Sequence, residues 1–178
     1  MSSLDHPTIL VRTAGEKDAE IIADLSQQTF IESFAAYNTK ENMEMFMNFQ
    51  FTRQKLIDEV RQPWHTFYLA FINNEPVGYV KMREGEVPET LVKQSSIEIA
   101  RIYSVQHMIG KGVGKILMQT CHDLAMQKKK DILWLGVWEK NQRAIDFYAH
   151  WGFERFGEQN FILGADVQTD WLMKKVLH

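Results

Sequence analysis

The segment from Ser95 to Lys128 constrains the fold more than any other. β-Branched and apolar residues fill Ser95 to Val105, which predicts a strand. Gln106-His107-Met108-Ile109 follows, then Gly110-Lys111-Gly112-Val113-Gly114-Lys115. Apolar residues at Val113, Ile116, Leu117, Cys121, Leu124 and Ala125 then predict a helix over Gly112 to Lys128. A strand that feeds a glycine turn at a helix start gathers backbone N–H groups without internal partners. Glycines let a phosphate come close to them, and the helix dipole favours its charge. The same glycines also suit tight packing with no ligand, and the loop alone leaves both readings open.

Spacing separates the phosphate binders. An ATP-binding P-loop needs four residues between its first Gly and its Gly-Lys, then Ser or Thr. Here three residues separate Gly110 from Gly114, and Ile116 follows Lys115, so that reading fails twice. The dinucleotide fingerprint G-x-G-x-x-G is also a poor match, because the spacing is G-x-G-x-G and the strand comes late in the chain.

Elsewhere the pattern predicts a strand at Ile9 to Thr13 and helices over Glu16 to Phe34, Lys40 to Phe49 and Thr52 to Val60, with Thr52 as N-cap. Strands at Thr66 to Ile72 and Pro76 to Met82 read as a hairpin turned by Asn73-Asn74-Glu75. The nearly continuous apolar run Asp131 to Trp138 predicts a buried strand, Asn141 to His150 a short helix, and Phe153 to Leu163 and Gln168 to Val176 two final strands. The polar stretch Arg83 to Gln94 is the longest candidate loop and is a candidate cover for a site. The order implies an α/β fold: a mixed, mostly antiparallel central sheet with helices on both faces. The length suits one domain over 1–178, with a loose tail at 1–7.

Composition narrows the partners. There are 20 Lys and Arg against 23 Asp and Glu, a net charge of −3, so no basic excess advertises nucleic acid. The cluster Lys128-Lys129-Lys130 reads as a solvated helix end. The single cysteine, Cys121, excludes an intrachain disulfide, fits a reducing, cytoplasmic setting, and reads as core filling. The first twenty residues hold no apolar stretch long enough for a signal peptide, no apolar run has the length of a membrane span, and the six histidines lack metal-ligand spacing.

The strand ending Ile102-Tyr103-Ser104-Val105, the Gly-Lys-Gly-Val-Gly turn and the downstream Asn141-Gln142-Arg143-Ala144-Ile145-Asp146-Phe147-Tyr148-Ala149-His150-Trp151-Gly152-Phe153 together resemble the GNAT superfamily of N-acetyltransferases. The resemblance spans about residues 8 to 176. It implies acetyl-CoA as cosubstrate, no metal, and direct transfer of the acetyl group to an amine. By resemblance, Gly110, Lys111, Gly112, Val113, Gly114 and Lys115 cradle the CoA pyrophosphate, and Tyr103, Ser104 and Val105 pair with the pantetheine arm. Asn141 contacts the cofactor, and Tyr148 protonates the departing thiolate. The sequence departs from the family at Ile109, where Arg or Gln is usual, which puts a side-chain contact there in doubt. Family members often pair as homodimers, but nothing in the sequence selects a pairing face.

A phenol titrates near about 10, so Tyr148 starts protonated and suits the acid role, although an aromatic at this position also suits core packing. Glu98, on the strand before the loop, is the candidate base, with Glu84, Glu86, Glu139 and His107 as rivals. Phe30, Glu32, Phe34, Tyr37 and Trp64 are candidates for the amine chamber, where aromatics and carboxylates suit a cation. The stretch Phe161 to Met173 resembles the ends of PaiA-type polyamine acetyltransferases, so a polyamine such as spermidine or spermine leads the expected amines. Amino-acid, peptide and antibiotic amines stand behind it. A CoA-binding regulator without turnover is the reading from a different class.

Overall fold

Asn73 and Asn74 both adopt left-handed backbone conformations, φ 49° and 65°, which asparagine tolerates better than most residues. They therefore make a two-residue turn, and Glu75 joins the following strand opposite Ile72 instead of standing in the turn. This hairpin begins the sheet in a computed structural model that describes residues 7–178. The expected tail at 1–7 lies, apart from Pro7, outside the described residues.

The strands are β1 (Leu10–Ala14), β2 (His65–Ile72), β3 (Glu75–Arg83), β4 (Ser96–Ser104), β5 (Ile132–Trp138), β6 (Glu154–Leu163) and β7 (Asp166–Val176). They form one sheet in the order β1-β2-β3-β4-β5-β7-β6, antiparallel except where β4 meets β5. The helices are α1 (Ala19–Phe34), α2 (Lys40–Met45), α3 (Arg53–Glu59), α4 (Val113–Gln127) and α5 (Gln142–His150). The mixed, mostly antiparallel sheet expected from the sequence is present.

Alternation along the strands decides which side chains meet which layer. A Cβ on Gly78 would stand 2.9 Å from Val113 and 3.1 Å from Leu117, so that face packs against α4. The next residue, Tyr79, and then Lys81 point to the opposite face, where Lys81 meets Glu59 of α3 and α3 packs on α1. The main core joins Leu117, Met118 and Cys121 of α4 to Ile97, Ile99, Leu133 and Leu135 of the sheet. A second cluster seats Phe30, Phe46, Phe51, Leu56 and Leu163 around α1 to α3.

Tertiary packing adjusts the expected boundaries. The helix expected at Lys40 to Phe49 is α-helical only to Met45 and then widens into a π-helical turn over Phe46–Gln50, closed by the Phe51 N–H on the Phe46 carbonyl at 2.8 Å. The wide turn lets Phe46 and Phe51 both pack on Phe30, with ring centroids 4.4 and 5.1 Å away. Thr52 caps α3 as expected, its hydroxyl accepting the Lys55 N–H at 3.2 Å. The stretch from Arg83 to Gln94 is no free cover: Leu91 is fully buried against Ile132, Trp134 and Leu172. Lys128 and Lys130 are not merely solvated, since both hold Glu84, at 2.8 and 2.7 Å.

Beneath α1 and α3 the sheet buries charge. Arg101 makes a bidentate pair with Glu59, both contacts at 2.9 Å, and its guanidinium lies 4.8 Å from the Phe51 ring centre. Lys81, almost wholly buried, reaches the same carboxylate at 3.3 Å. Burial opposes the charge on Glu59, but Arg101 and Lys81 outweigh it and hold the carboxyl below its ordinary range. Burial, then the charge of Arg101, pushes the Lys81 ammonium down to about 8. Two cations thus share one anion. Glu59→Gln leaves both without a counter-charge and is expected to cost about 3 kcal/mol in denaturant unfolding at neutral pH. A loss below about 1 kcal/mol would show that the cluster is not coupled to folding.

Candidate active site

The parallel ladder between β4 and β5 is short. It runs from Ser96 opposite Ile132 to Ile99 opposite Leu135 and stops. Beyond it β4 stays with β3, and β5 stays with β7. The parting starts at a bulge: Lys81 faces Arg101 and Met82 faces Ile99, so Ala100 is the extra residue that bends β4 away. A cavity of about 1060 Å³ fills the wedge and is lined from both faces of the sheet.

On the α4 and α5 face the wedge meets the glycine turn. Gly110 and Gly112 have φ of 79° and 92°, which favours glycine at both. Gly112 caps α4, and the Ile116 N–H is the first to find a helical partner, the Gly112 carbonyl at 3.2 Å. The N–H groups of Gly112, Val113, Gly114 and Lys115 are therefore the orphan donors of this helix start. Gly110, Gly112, Gly114 and Lys115 line the cavity; Lys111 is exposed away from it, and the Val113 side chain is buried in the core. Ile109 lines the cavity with an apolar side chain. Glu32 of α1 accepts the Gln106 N–H at 2.8 Å and ties the start of the turn to the first helix.

Tyr103 and Ser104 line the wedge, whereas Val105 is buried and its N–H bonds the Val77 carbonyl at 2.9 Å. Asn141 lines the cavity and also caps α5, its side-chain oxygen accepting the Ala144 N–H at 3.2 Å. Tyr148 reaches the cavity from α5. Burial, with a smaller contribution from Cys121, raises its phenol well above the ordinary range, so it stays protonated. Cys121 itself is fully buried, and burial pushes its thiol up.

Glu98 does not join these residues. It is buried at the closed end of the wedge, opposite Trp134, and Arg83 holds both its oxygens at 2.8 and 3.1 Å. Strand alternation aimed it away from Ile97 and Ile99, but it falls before the bulge, where the sheet is still closed. Glu84 and Glu86 are likewise paired with lysines and with Arg83, and neither lines the cavity. His107 is exposed outside it. Glu139 borders a separate recess of about 160 Å³ beside Tyr37 and Trp138. Trp64 is half exposed against His65 and is no part of the chamber.

The α1 face of the cavity holds Phe30, Glu32, Phe34 and Tyr37 as expected, and Phe34 and Tyr37 set their rings against Trp138 at 6.2 and 5.6 Å. Sequence reasoning missed Arg101, Trp138, Arg143, Gln168 and Asp170, which also line it. The signal for Asp170 was a carboxylate set within the strand run Thr169 to Met173.

Residues 22–153 match the acetyltransferase (GNAT) family. The chain belongs to that family. It is an acetyl-CoA-dependent N-acetyltransferase. An uncharacterized N-acetyltransferase from the pepI 3' region of Lactobacillus delbrueckii subsp. lactis is 36% identical over 162 residues, 91% of this chain and 94% of the relative. Among solved structures, the PaiA N-acetyltransferase of Thermoplasma acidophilum in complex with coenzyme A superposes with a TM-score of 0.77 at 18% identity, covering 95% of this acetyltransferase and 99% of that chain. The putative acetyltransferase yncA of Salmonella typhimurium with acetyl-CoA gives 0.72 at 16% identity, covering 96% and 95%. The orphan donors and the open strand edges fit such a cosubstrate, since the first suit a pyrophosphate and the second an extended amide-bearing arm.

Gly112→Ala tests the turn. A Cβ there would meet Ile9 at an ordinary 3.8 Å, so the cost is backbone strain and not a clash. It is expected to weaken CoA binding about tenfold by calorimetry and to cost about 1–2 kcal/mol of stability. Gly114→Ala, at ordinary φ and 3.7 Å from Phe147, is expected to keep its stability.

Proposed function

We propose that this acetyltransferase acetylates a primary amine of a small cationic molecule, with a polyamine such as spermidine or spermine as the leading substrate. The observation that carries the reading is the wedge, with orphan amides at one mouth and an acidic, aromatic chamber at the other. Glu32 and Asp170 supply negative charge, and Phe34, Tyr37 and Trp138 supply ring faces for an ammonium. The resemblance to PaiA-type enzymes points the same way. A second reading, an amine that also bears a carboxylate, is favoured by the Arg101 guanidinium on the cavity wall. The single buried thiol agrees with work in the cytoplasm.

In the proposed site the orphan amides of Gly112 to Lys115, in the turn opened by Gly110, hold the pyrophosphate, the Lys111 N–H being taken by the Met108 carbonyl, and the free edge at Tyr103 and Ser104 receives the pantetheine arm. Val105 lends the strand end its fixed position, and Asn141 holds the start of α5 against the arm. Bound acetyl-CoA supplies an activated thioester carbonyl and a thiol leaving group. Tyr148, kept protonated by its burial, donates its proton to the departing sulfur.

A thiol-release assay with spermidine, spermine, amino acids, peptides and aminoglycosides checks the substrate. Turnover of spermidine above the others is expected. Amino acids as better substrates would shift the reading to the carboxylate-bearing class, and CoA binding without any transfer would support a regulator. Tyr148→Phe is expected to lower kcat about 100-fold with nearly unchanged CoA affinity. An unchanged kcat would remove Tyr148 from the acid role.

A further inference from the structure

Among the described residues two carboxylates line the cavity, and only one of them is free for work. Glu32 is occupied by the Gln106 N–H at 2.8 Å and the Gln28 side chain at 2.9 Å. Asp170 is half-buried on β7, and among the described residues no group donates a hydrogen bond to it. A buried carboxylate without partners normally costs stability, so its presence at a cavity wall asks for a ligand that supplies donors.

Its direction is set by the sheet. Asp170 faces Trp138 across the β5–β7 ladder, on the side where Trp138 meets Phe34 and Tyr37. Gly136, two residues before Trp138, shares that face. A Cβ there would stand 3.1 Å from the Gln159 side-chain nitrogen and at an ordinary 3.6 Å from an Asp170 oxygen, so the carboxylate borders the space over Gly136, and both residues line the wedge. Tyr148 enters the same wedge from the opposite face, beside Cys121 of α4. An acid and an uncommitted carboxylate thus flank the gap between β4 and β5 from its two sides.

We propose that Asp170 is the catalytic residue that binds the substrate ammonium and accepts its proton, a role that rests on the direct-transfer reading above. The proton balance closes. Asp170 takes one proton from the ammonium and later releases it to solvent. The freed nitrogen lone pair forms the N–C bond as the C–S bond breaks, and the Tyr148 proton goes to sulfur. The second proton lost by nitrogen as the amide forms returns to the Tyr148 phenolate. Net, one ammonium and one thioester give one amide, one thiol and one proton.

Burial pushes the Asp170 carboxyl up to about 6, nearer to working pH than an ordinary carboxylate and so a stronger base. The Tyr103 phenol of β4 is the titratable group that faces it, while Glu32 of α1 and the cations Arg101, Lys115, Lys140 and Arg143 line other parts of the same cavity and do not shift it. Asp170 is charged above its own range, so amine binding and kcat/KM fall as pH drops below about 6.

Asp170→Asn keeps the shape and removes the base. With spermidine and, beside it, butylamine as probes, kcat/KM is expected to fall at least about 100-fold. The acidic limb near pH 6 should vanish, and the affinity for CoA should stay within about twofold. Calorimetry on the enzyme–CoA complex should show amine binding weakened about tenfold or more. Because the raised carboxyl destabilises the folded state progressively from about pH 4 to about pH 6 and fully above that, the variant should melt higher than the wild type at about pH 8 and equally at about pH 3, which verifies its fold. A variant with wild-type kcat/KM and the same acidic limb overturns the proposal, as does a loss traced to CoA affinity. Asp170-dependent amine binding without turnover in the wild type would uphold the amine contact and sink direct transfer instead.

Discussion

The structure depends on a hydrogen-bond ladder that ends early. Four residue pairs join β4 to β5, and then an extra residue, Ala100, turns β4 aside while both strands keep their outer partners. A sheet normally satisfies its backbone groups by pairing. Here those of the parting strands face a cavity, where water or an extended ligand can satisfy them. The bulge therefore sets at once where the sheet is permeable and where an acyl carrier can lie within it. The glycine turn, the α5 cap and Tyr148 gain meaning from their positions around this gap.

Opening a sheet at its centre weakens it, and the neighbouring layers supply restraint. The Glu59 cluster clamps β3 and β4 to α3 just where β4 bends, through Arg101 and Lys81. On the closed side Arg83 and Glu98 join the same two strands. The β6–β7 hairpin is tied to the α2 region, where Asn42 accepts the Ala165 N–H at 2.9 Å and Gln50 donates to the Ile162 carbonyl at 3.0 Å. Charges that a sequence reader takes for solvated or catalytic are here the rivets of the frame.

Legibility followed the range of the interactions. Local features read well: the α3 cap at Thr52, the asparagine turn and the helix that opens at Gly112 are set by neighbours within a few residues. The π-helical turn at Phe46 was not legible, because it answers to Phe30, on another helix. Glu98 was misread for a similar reason. Alternation gives the face of a strand but not its position relative to a bulge, and Glu98 lies two positions before Ala100. Asp170 lay within a stretch already singled out, yet only the β5–β7 register sets it beside the cavity. Tyr103, Asn141 and Tyr148, which the resemblance singled out from local motifs, do line the cavity, because those motifs sit on the strand end and helix that border it.

Cys121 has a further consequence. Each turnover of a CoA-dependent acyl transfer liberates a free thiol, and thiols exchange with disulfides through their thiolate forms. The chain's one cysteine lies behind Tyr148 with its thiol held protonated by burial. Oxidised cofactor reaching the cavity meets no thiolate to capture it. The protein is thereby insulated from mixed-disulfide poisoning by the very carrier it discharges.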